Sequence, residues 1–202
     1  MAISLTKGQK INLEKDNGEK LSHICLGLNW GAIEKKGFFG TSKESVDLDG
    51  SCAMFDENKN LLEVIYFGNL KSKNSSVLHS GDDLSGDTDG DDGLDNEILS
   101  VDLAKVDSNV DQIVFILNSF QGHDFSNIPF ARIRIFEGDF DKIENVVATY
   151  DIAQDSKFEG FVSMIMGKLY RRNDEWKFSA IGEPTMDSKL QESIATVKDR
   201  YL

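Results

Sequence analysis

The sequence predicts an all-β fold: a two-sheet β-sandwich of roughly ten strands, closed by one C-terminal helix. Three observations carry this. Short apolar stretches with period-two alternation recur along most of the chain, broken by turns rich in Gly, Asn and Asp. Nothing alternates strand with helix, which disfavours a doubly wound α/β sheet. Only residues 188–202 show helical spacing, with Leu190, Ile194, Val197 and Tyr201 on one stripe and Asp187 placed to cap it. The 202 residues suffice for one domain with a real core. Residues 1–184 read as the sandwich, carrying an acidic loop over 79–97, and residues 185–202 as a helix packed on it.

In order, residues 3–13 alternate loosely and 21–30 cleanly, with Ile24, Leu26, Leu28 and Trp30 on one face. The Lys15-Asp16-Asn17-Gly18 turn between them predicts a hairpin. Residues 31–43 read as irregular, with Phe38 and Phe39 at the tip folding back to anchor it. In 45–55, Val46 and Leu48 point one way and Asp47 and Asp49 the other, roughly 6.5–7 Å apart along the strand. After Gly50 the apolar positions become Cys52, Met54 and Phe55, which reads as a register shift, with a bulge or a close approach at the glycine. Residues 61–67, apolar on both faces, predict a central strand that ends at Asn69, a ligand position or simply a turn residue. Further strands are expected at 98–103, 111–120, 129–137, 146–152, 161–170 and 176–181, with a turn at Arg171-Arg172-Asn173-Asp174.

Twenty-two Lys and Arg against 35 Asp and Glu leave a net charge of −13. That excludes a basic nucleic-acid footprint and unaided docking on anionic lipid. The N-terminus has no apolar h-region and no run approaches the length of a membrane span, so neither a secretory signal nor a span is expected. Cys25 and Cys52 lie on apolar strands and read as reduced core thiols, in keeping with a cytoplasmic location.

The acid is concentrated. Residues 79–97 hold eight carboxylates (Asp82, Asp83, Asp87, Asp89, Asp91, Asp92, Asp95 and Glu97) and four glycines, and no Lys or Arg stands between Lys73 and Lys105. Such a stretch repels itself unless a hard cation neutralises it, and Ca²⁺ takes six to eight oxygens from a backbone able to curl around it. The plain alternative is a solvated, disordered acidic linker on a structural scaffold. The EF-hand frame fails, because counting from Asp87 places Asp92 where Gly is needed and Ile98 where Glu is needed. Zinc lacks its thiolate and imidazole ligands, His79 apart. An enzyme alternative is a Mg²⁺-dependent haloacid-dehalogenase-type phosphatase, with Asp47 of Asp47-Leu48-Asp49-Gly50-Ser51 as nucleophile and Asp49 as acid/base. It calls for a buried parallel strand before Asp47, where Ser42-Lys43-Glu44-Ser45 stands instead.

Several separate motifs agree on a resemblance. Ile3-Ser4-Leu5-Thr6-Lys7-Gly8, Leu26-Gly27-Leu28-Asn29-Trp30, Val46-Asp47-Leu48-Asp49, His79-Ser80-Gly81-Asp82-Asp83, Gly86-Asp87-Thr88-Asp89-Gly90-Asp91-Asp92 and Gly167-Lys168-Leu169-Tyr170-Arg171 with Glu175-Trp176-Lys177-Phe178 resemble the TerD family of tellurium-resistance and stress proteins. The Lys-Lys-Gly-Phe-Phe-Gly segment and Asp49-Gly50-Ser51-Cys52 are most similar to its TerZ branch. The resemblance implies a β-sandwich that binds one or two Ca²⁺, has no enzymatic role, and presents an interaction surface. It implies other Ter-type proteins as partners, near the cytoplasmic membrane face, and no small-molecule substrate. Carried over by position, the metal residues are Asp47 and Asp49, Asn69 at the next strand's end, and Asp82, Asp87, Asp89, Asp91, Asp92 and Glu97 from the loop. Asp83 stands where the family pattern has Asn, and Gly93-Leu94-Asp95-Asn96 is an insertion before Glu97.

Overall fold

Hydrophobic alternation is satisfied by two six-stranded sheets packed face to face. The computed structural model describes residues 3–202 except 16, 38, 39, 153–155 and 174; Phe38 and Phe39 therefore lie outside the described residues. The described strands are β1 (Ile3–Ser4), β2 (Lys10–Asn12), β3 (His23–Trp30), β4 (Ile33–Gly37), β5 (Gly40–Glu44), β6 (Leu48–Phe55), β7 (Leu61–Ile65), β8 (Val77–His79), β9 (Glu97–Asp102), β10 (Gln112–Ser119), β11 (Ala131–Gly138), β12 (Ile143–Asp151), β13 (Ser163–Arg172) and β14 (Glu175–Thr185). The helix α1 spans Leu190–Arg200. One sheet runs β1-β12-β11-β3-β9-β8 and the other β2-β14-β13-β10-β6-β7. All described pairs within them are antiparallel except β1 with β12.

The inner faces supply the core: Ile24, Leu26, Leu28 and Trp30 of β3 meet Leu48, Cys52 and Met54 of β6 and Ile113, Phe115 and Leu117 of β10. The second sheet is buried on its outer face as well. There Ala53, Phe55, Val114, Ile116 and Ile165 pack against Val197 of α1. Cys25 and Cys52 are free and buried, and burial pushes both thiols up to about 12.

Several expectations are corrected. The strands at 3–13 and 21–30 do not pair as a hairpin. β2 joins β14 while β3 lies between β11 and β9 in the other sheet. The chain crosses between layers there, and what joins the two segments among the described residues is a Glu14–Lys20 bridge with the Lys15 N–H to Glu19 O (2.7 Å) and Leu21 N–H to Leu13 O (2.9 Å) bonds beside it. Within residues 31–43 the described segments are not irregular: β4 pairs antiparallel with β5. β7 is an edge strand rather than a central one, and Leu61 is exposed. The change of apolar pattern after Gly50 is no register shift, because β6 pairs with β10 without interruption from Leu48 to Phe55. It reflects burial of both faces of β6. Asp187 does not cap α1; it accepts from Thr196 Oγ1 (3.0 Å), while Ser188 donates through both N–H and Oγ to Glu192 Oε2.

Candidate metal site

The segment leading into β6 is pinned on two sides. Val46 N–H donates to Ser85 O (3.1 Å), Trp30 Nε1–H to Val46 O (2.8 Å), and Phe120 N–H to Asp47 O (3.0 Å). With Leu48 committed to the core, alternation turns Asp47 and Asp49 to the opposite face. Asp82 arrives from the acidic loop. One carboxylate oxygen from each of the three lies within 4.8 Å of the others. Asp47 is 3% exposed, and its Oδ1 has no hydrogen-bond partner among the described residues. Burial, then the neighbouring carboxylates, push Asp47 up to about 6 and Asp49 up to about 7.

Beneath this cluster a strand is missing, and two side chains replace it. β7 pairs with β6 only from Cys52 onward, leaving the backbone edge at Gly50 open. Glu97 of β9 accepts from Gly50 N–H (2.8 Å), and the Nε2–H of His79 of β8 donates to Gly50 O (2.9 Å). Gly81 N–H donates to His79 Nδ1 (3.1 Å), which fixes the Nε2–H tautomer. Glu97 is 1% exposed; burial raises its pKa against the pull of His79 and of the Gly50 and Asp83 N–H groups. Burial disfavours charge on His79, but its contact with Glu97 outweighs this and its pKa is raised. Gly50 is required by contact. A Cβ there would stand 2.3 Å from Leu28 Cδ1 and 3.1 Å from Glu97 Oε2.

The loop holds itself by its own acids. Asp83 Oδ1 accepts from Ser85 N–H (2.8 Å), Ser85 Oγ (3.0 Å) and Gly86 N–H (2.9 Å), and these bonds lower its pKa despite its burial. Asn96 Oδ1 accepts from Trp30 N–H (2.8 Å), while its Nδ2 donates to Asp83 Oδ2 (3.2 Å) and Asp87 Oδ1 (3.1 Å). Asp87 also bridges to β3's end through Trp30 O (2.9 Å) and Ala32 N–H (3.0 Å). Gly86 makes that approach possible: its φ is +66°, and a Cβ would meet Trp30 Cδ1 at 2.5 Å. Asp95, pushed up by burial, is met by the Nε (2.9 Å) and Nη2 (2.8 Å) of Arg134.

The nine sequence-derived ligand candidates thus separate into groups. Asp47, Asp49 and Asp82 come together, with Glu97 behind them bonded to Gly50. Asp87, Asp89 and Asp92 line a second acidic cup of about 380 Å³ shared with Asp83 and Asp95. In that cup Asp87 Oδ2 accepts from Asn29 Nδ2 and Asp92 N–H, and Asp92 Oδ1 accepts from Leu94 N–H. Asp91 accepts from Gly93 N–H and lies 3.6 Å from Arg132. Asn69 donates its Nδ2–H to Val64 O (2.8 Å), closing the turn after β7. Sequence reasoning missed Asn29, Asn96 and Arg134, which carry the loop's hydrogen bonds; the insertion holding Asn96 was the one available signal. The phosphatase alternative has no support, since Asp47 precedes a strand flanked by antiparallel neighbours on both sides.

Residues 1–196 match the family model described as the TerD domain. The chain is 37% identical to stress response protein SCP2 of Bacillus subtilis (strain 168), covering 96% of this chain and 98% of that protein. It is 33% identical to tellurium resistance protein TerZ of Serratia marcescens, covering 89% of each. A solved homologue of telluride resistance protein (TerD) from Streptomyces coelicolor A3(2) superposes with a TM-score of 0.66 at 14% identity, over 86% of this chain and 95% of that one. The sandwich fold, the motif positions and these likenesses agree, and the chain belongs to the TerD domain family of tellurium-resistance and stress-response proteins.

Proposed function

We propose that this chain is a non-enzymatic Ca²⁺-binding stress-response module whose acidic loop and strand carboxylates hold the ion and shape a surface for partner proteins. The observation that carries it is the grouping of Asp47, Asp49 and Asp82 within 4.8 Å, with Asp47 Oδ1 buried and unpartnered among the described residues. Oxygens bound to one Ca²⁺ at 2.3–2.6 Å lie at most about 4.6–5.2 Å apart, so this spacing fits a shared ion. The donor set is all oxygen. Among the described residues no imidazole or thiol joins the three carboxylates within 4.8 Å, which disfavours zinc. Asp47, Asp49 and Asp82 would hold the ion, and its charge would offset the burial and the mutual repulsion that raise the two strand carboxyls. Other Ter-type proteins at the cytoplasmic membrane face are the partners that family membership favours.

Calorimetric titration of metal-stripped protein with CaCl₂ and MgCl₂, with thermal melts in each, tests the reading. Saturable Ca²⁺ binding with a raised Tm is expected. Asp47→Asn should weaken binding at least about tenfold, or ~1.4 kcal/mol. Absence of heat and of any Tm shift would remove the ion from the account, and unchanged affinity in Asp47→Asn would remove Asp47 from the site.

A further inference from the structure

On the outer face of the second sheet, between the turn after β7 and the start of α1, lies a cleft of about 370 Å³. Its floor is polar although it sits deep in the fold. Asp49 of β6 stands directly opposite Asn118 of β10, and Ser51 follows two residues along β6. Asn118 Nδ2 donates to Ser163 Oγ (2.8 Å) and Ser193 Oγ (3.1 Å), which ties it to β13 and α1. Asn118 is 6% exposed and Ser51 1%, yet Asn118 Oδ1 and Ser51 Oγ have no hydrogen-bond partner among the described residues. Ser119 Oγ, in the same lining, is a third such atom; buried polar atoms without partners cost about 1–3 kcal/mol each, so a cleft that keeps three of them is shaped for something that supplies hydrogen bonds.

One wall is aromatic. Tyr66 and Phe67 meet edge to face with centroids 5.3 Å apart, and Phe67 meets Phe120 likewise at 5.9 Å. Phe120 is 66% exposed. Beyond its edge contact with Phe67 the Phe120 ring stands open, and a ligand seated in the cleft would cover it. Acceptors dominate the floor: the Asp49 carboxylate, the Asn118 carbonyl oxygen and the Ser51 hydroxyl. An ammonium group offers three donors and no acceptor, which matches that set. Aromatic faces add cation–π attraction and a surface for an apolar body. Lys189, which is exposed, also lines the cleft. The net charge of −13 draws cations toward the molecule as a whole.

We propose that this cleft binds a small primary amine, its ammonium on Asp49, Asn118 and Ser51 and its apolar or aromatic body against Phe67 and Phe120. The proposal goes beyond the calcium reading and is tested without it in EDTA, although the Asp49 carboxylate serves both sites. The probe is 2-phenylethylamine, with 2-phenylethanol as the control of like shape that lacks the ammonium. Each is titrated into the full chain, once in EDTA and once in CaCl₂, and followed by amide chemical shifts. The expected result is saturable binding of the amine, with shifts centred on Ser51, Phe67, Asn118 and Phe120, and at least about tenfold weaker binding of the alcohol. Phe120→Ala truncates only an exposed ring and should weaken the amine by about three- to tenfold, while leaving Ca²⁺ titration unchanged. Amine affinity weaker than about 10 mM, equal affinity for the alcohol, or no loss in Phe120→Ala would each overturn the proposal. If Ca²⁺ fails to bind while the amine binds, only the metal reading falls.

Discussion

The Asn96 side chain serves three groups at once: the Trp30 N–H, the Asp83 carboxylate and the Asp87 carboxylate. No other residue type of its size both accepts and donates in this way. Asn96→Ala should therefore strand the Trp30 N–H and loosen the loop. A loss of about 1–3 kcal/mol is expected in urea denaturation, and no change would mean that water serves these groups equally well. Gly50→Ala tests the close approach. Its methyl would strike Leu28 Cδ1, and the strain should cost about 1–3 kcal/mol, with the crossing bond from Glu97 displaced. Composition showed the loop's acidity but not its division of labour. Asp83 and Asp87 look like any other acid in the sequence. Their position beside Ser85, Gly86 and Asn96 makes them holders of the loop, and although these partners lie within the same loop, its folded path and not its acidity decides which carboxylate meets them.

At the scale of elements, β7 and α1 show what alternation cannot tell. A strand apolar on both faces reads as central, yet β7 is an edge whose inner side meets the core and whose neighbour is the missing-strand seam at Gly50. The outer face of the second sheet is apolar because α1 covers it, not because another strand does. Deleting residues 190–202 should expose Phe55, Val114, Ile116 and Ile165. Burying a side chain such as Val197 contributes about 1.5–3 kcal/mol, so the truncated chain should melt many degrees lower and bind a hydrophobic dye. A truncated protein with an unchanged melt would show that α1 contributes no stability to the sheet.

For the whole molecule, the raised carboxyls of Asp47 and Asp49 tie stability to pH and to metal. Their ordinary value is 3.8, and in the folded protein they stand at about 6 and about 7. The folded state thus holds protons more tightly than the unfolded chain. The stability this confers is fully present below the unfolded value near 4 and is lost as pH rises through about 6 to 7. In EDTA, these two groups should lower the Tm between pH 5 and pH 8. Ca²⁺ requires both ionised, so its stabilising effect should grow across the same interval. Calorimetric scans at pH 5, 6.5 and 8, with EDTA or CaCl₂, read this directly. An equal Ca²⁺-induced shift at all three values would detach the two carboxyls from the ion. Among the described residues no helix is long and apolar enough to cross a membrane.

Side-chain alternation, turn chemistry and charge density are local properties, and from them the sequence by itself determined the sandwich class, most of its strands, the terminal helix and the clustering of acid in one loop. Its motifs also determined the family. Which strands neighbour one another, that β2 and β3 part into different sheets, and that Asp82 meets Asp47 and Asp49 while Glu97 turns to Gly50 were decided only by the tertiary structure. The physical reason is that these outcomes depend on pairing between segments tens of residues apart. There the two sheets' packing, and not any local preference, selects which polar groups are buried together.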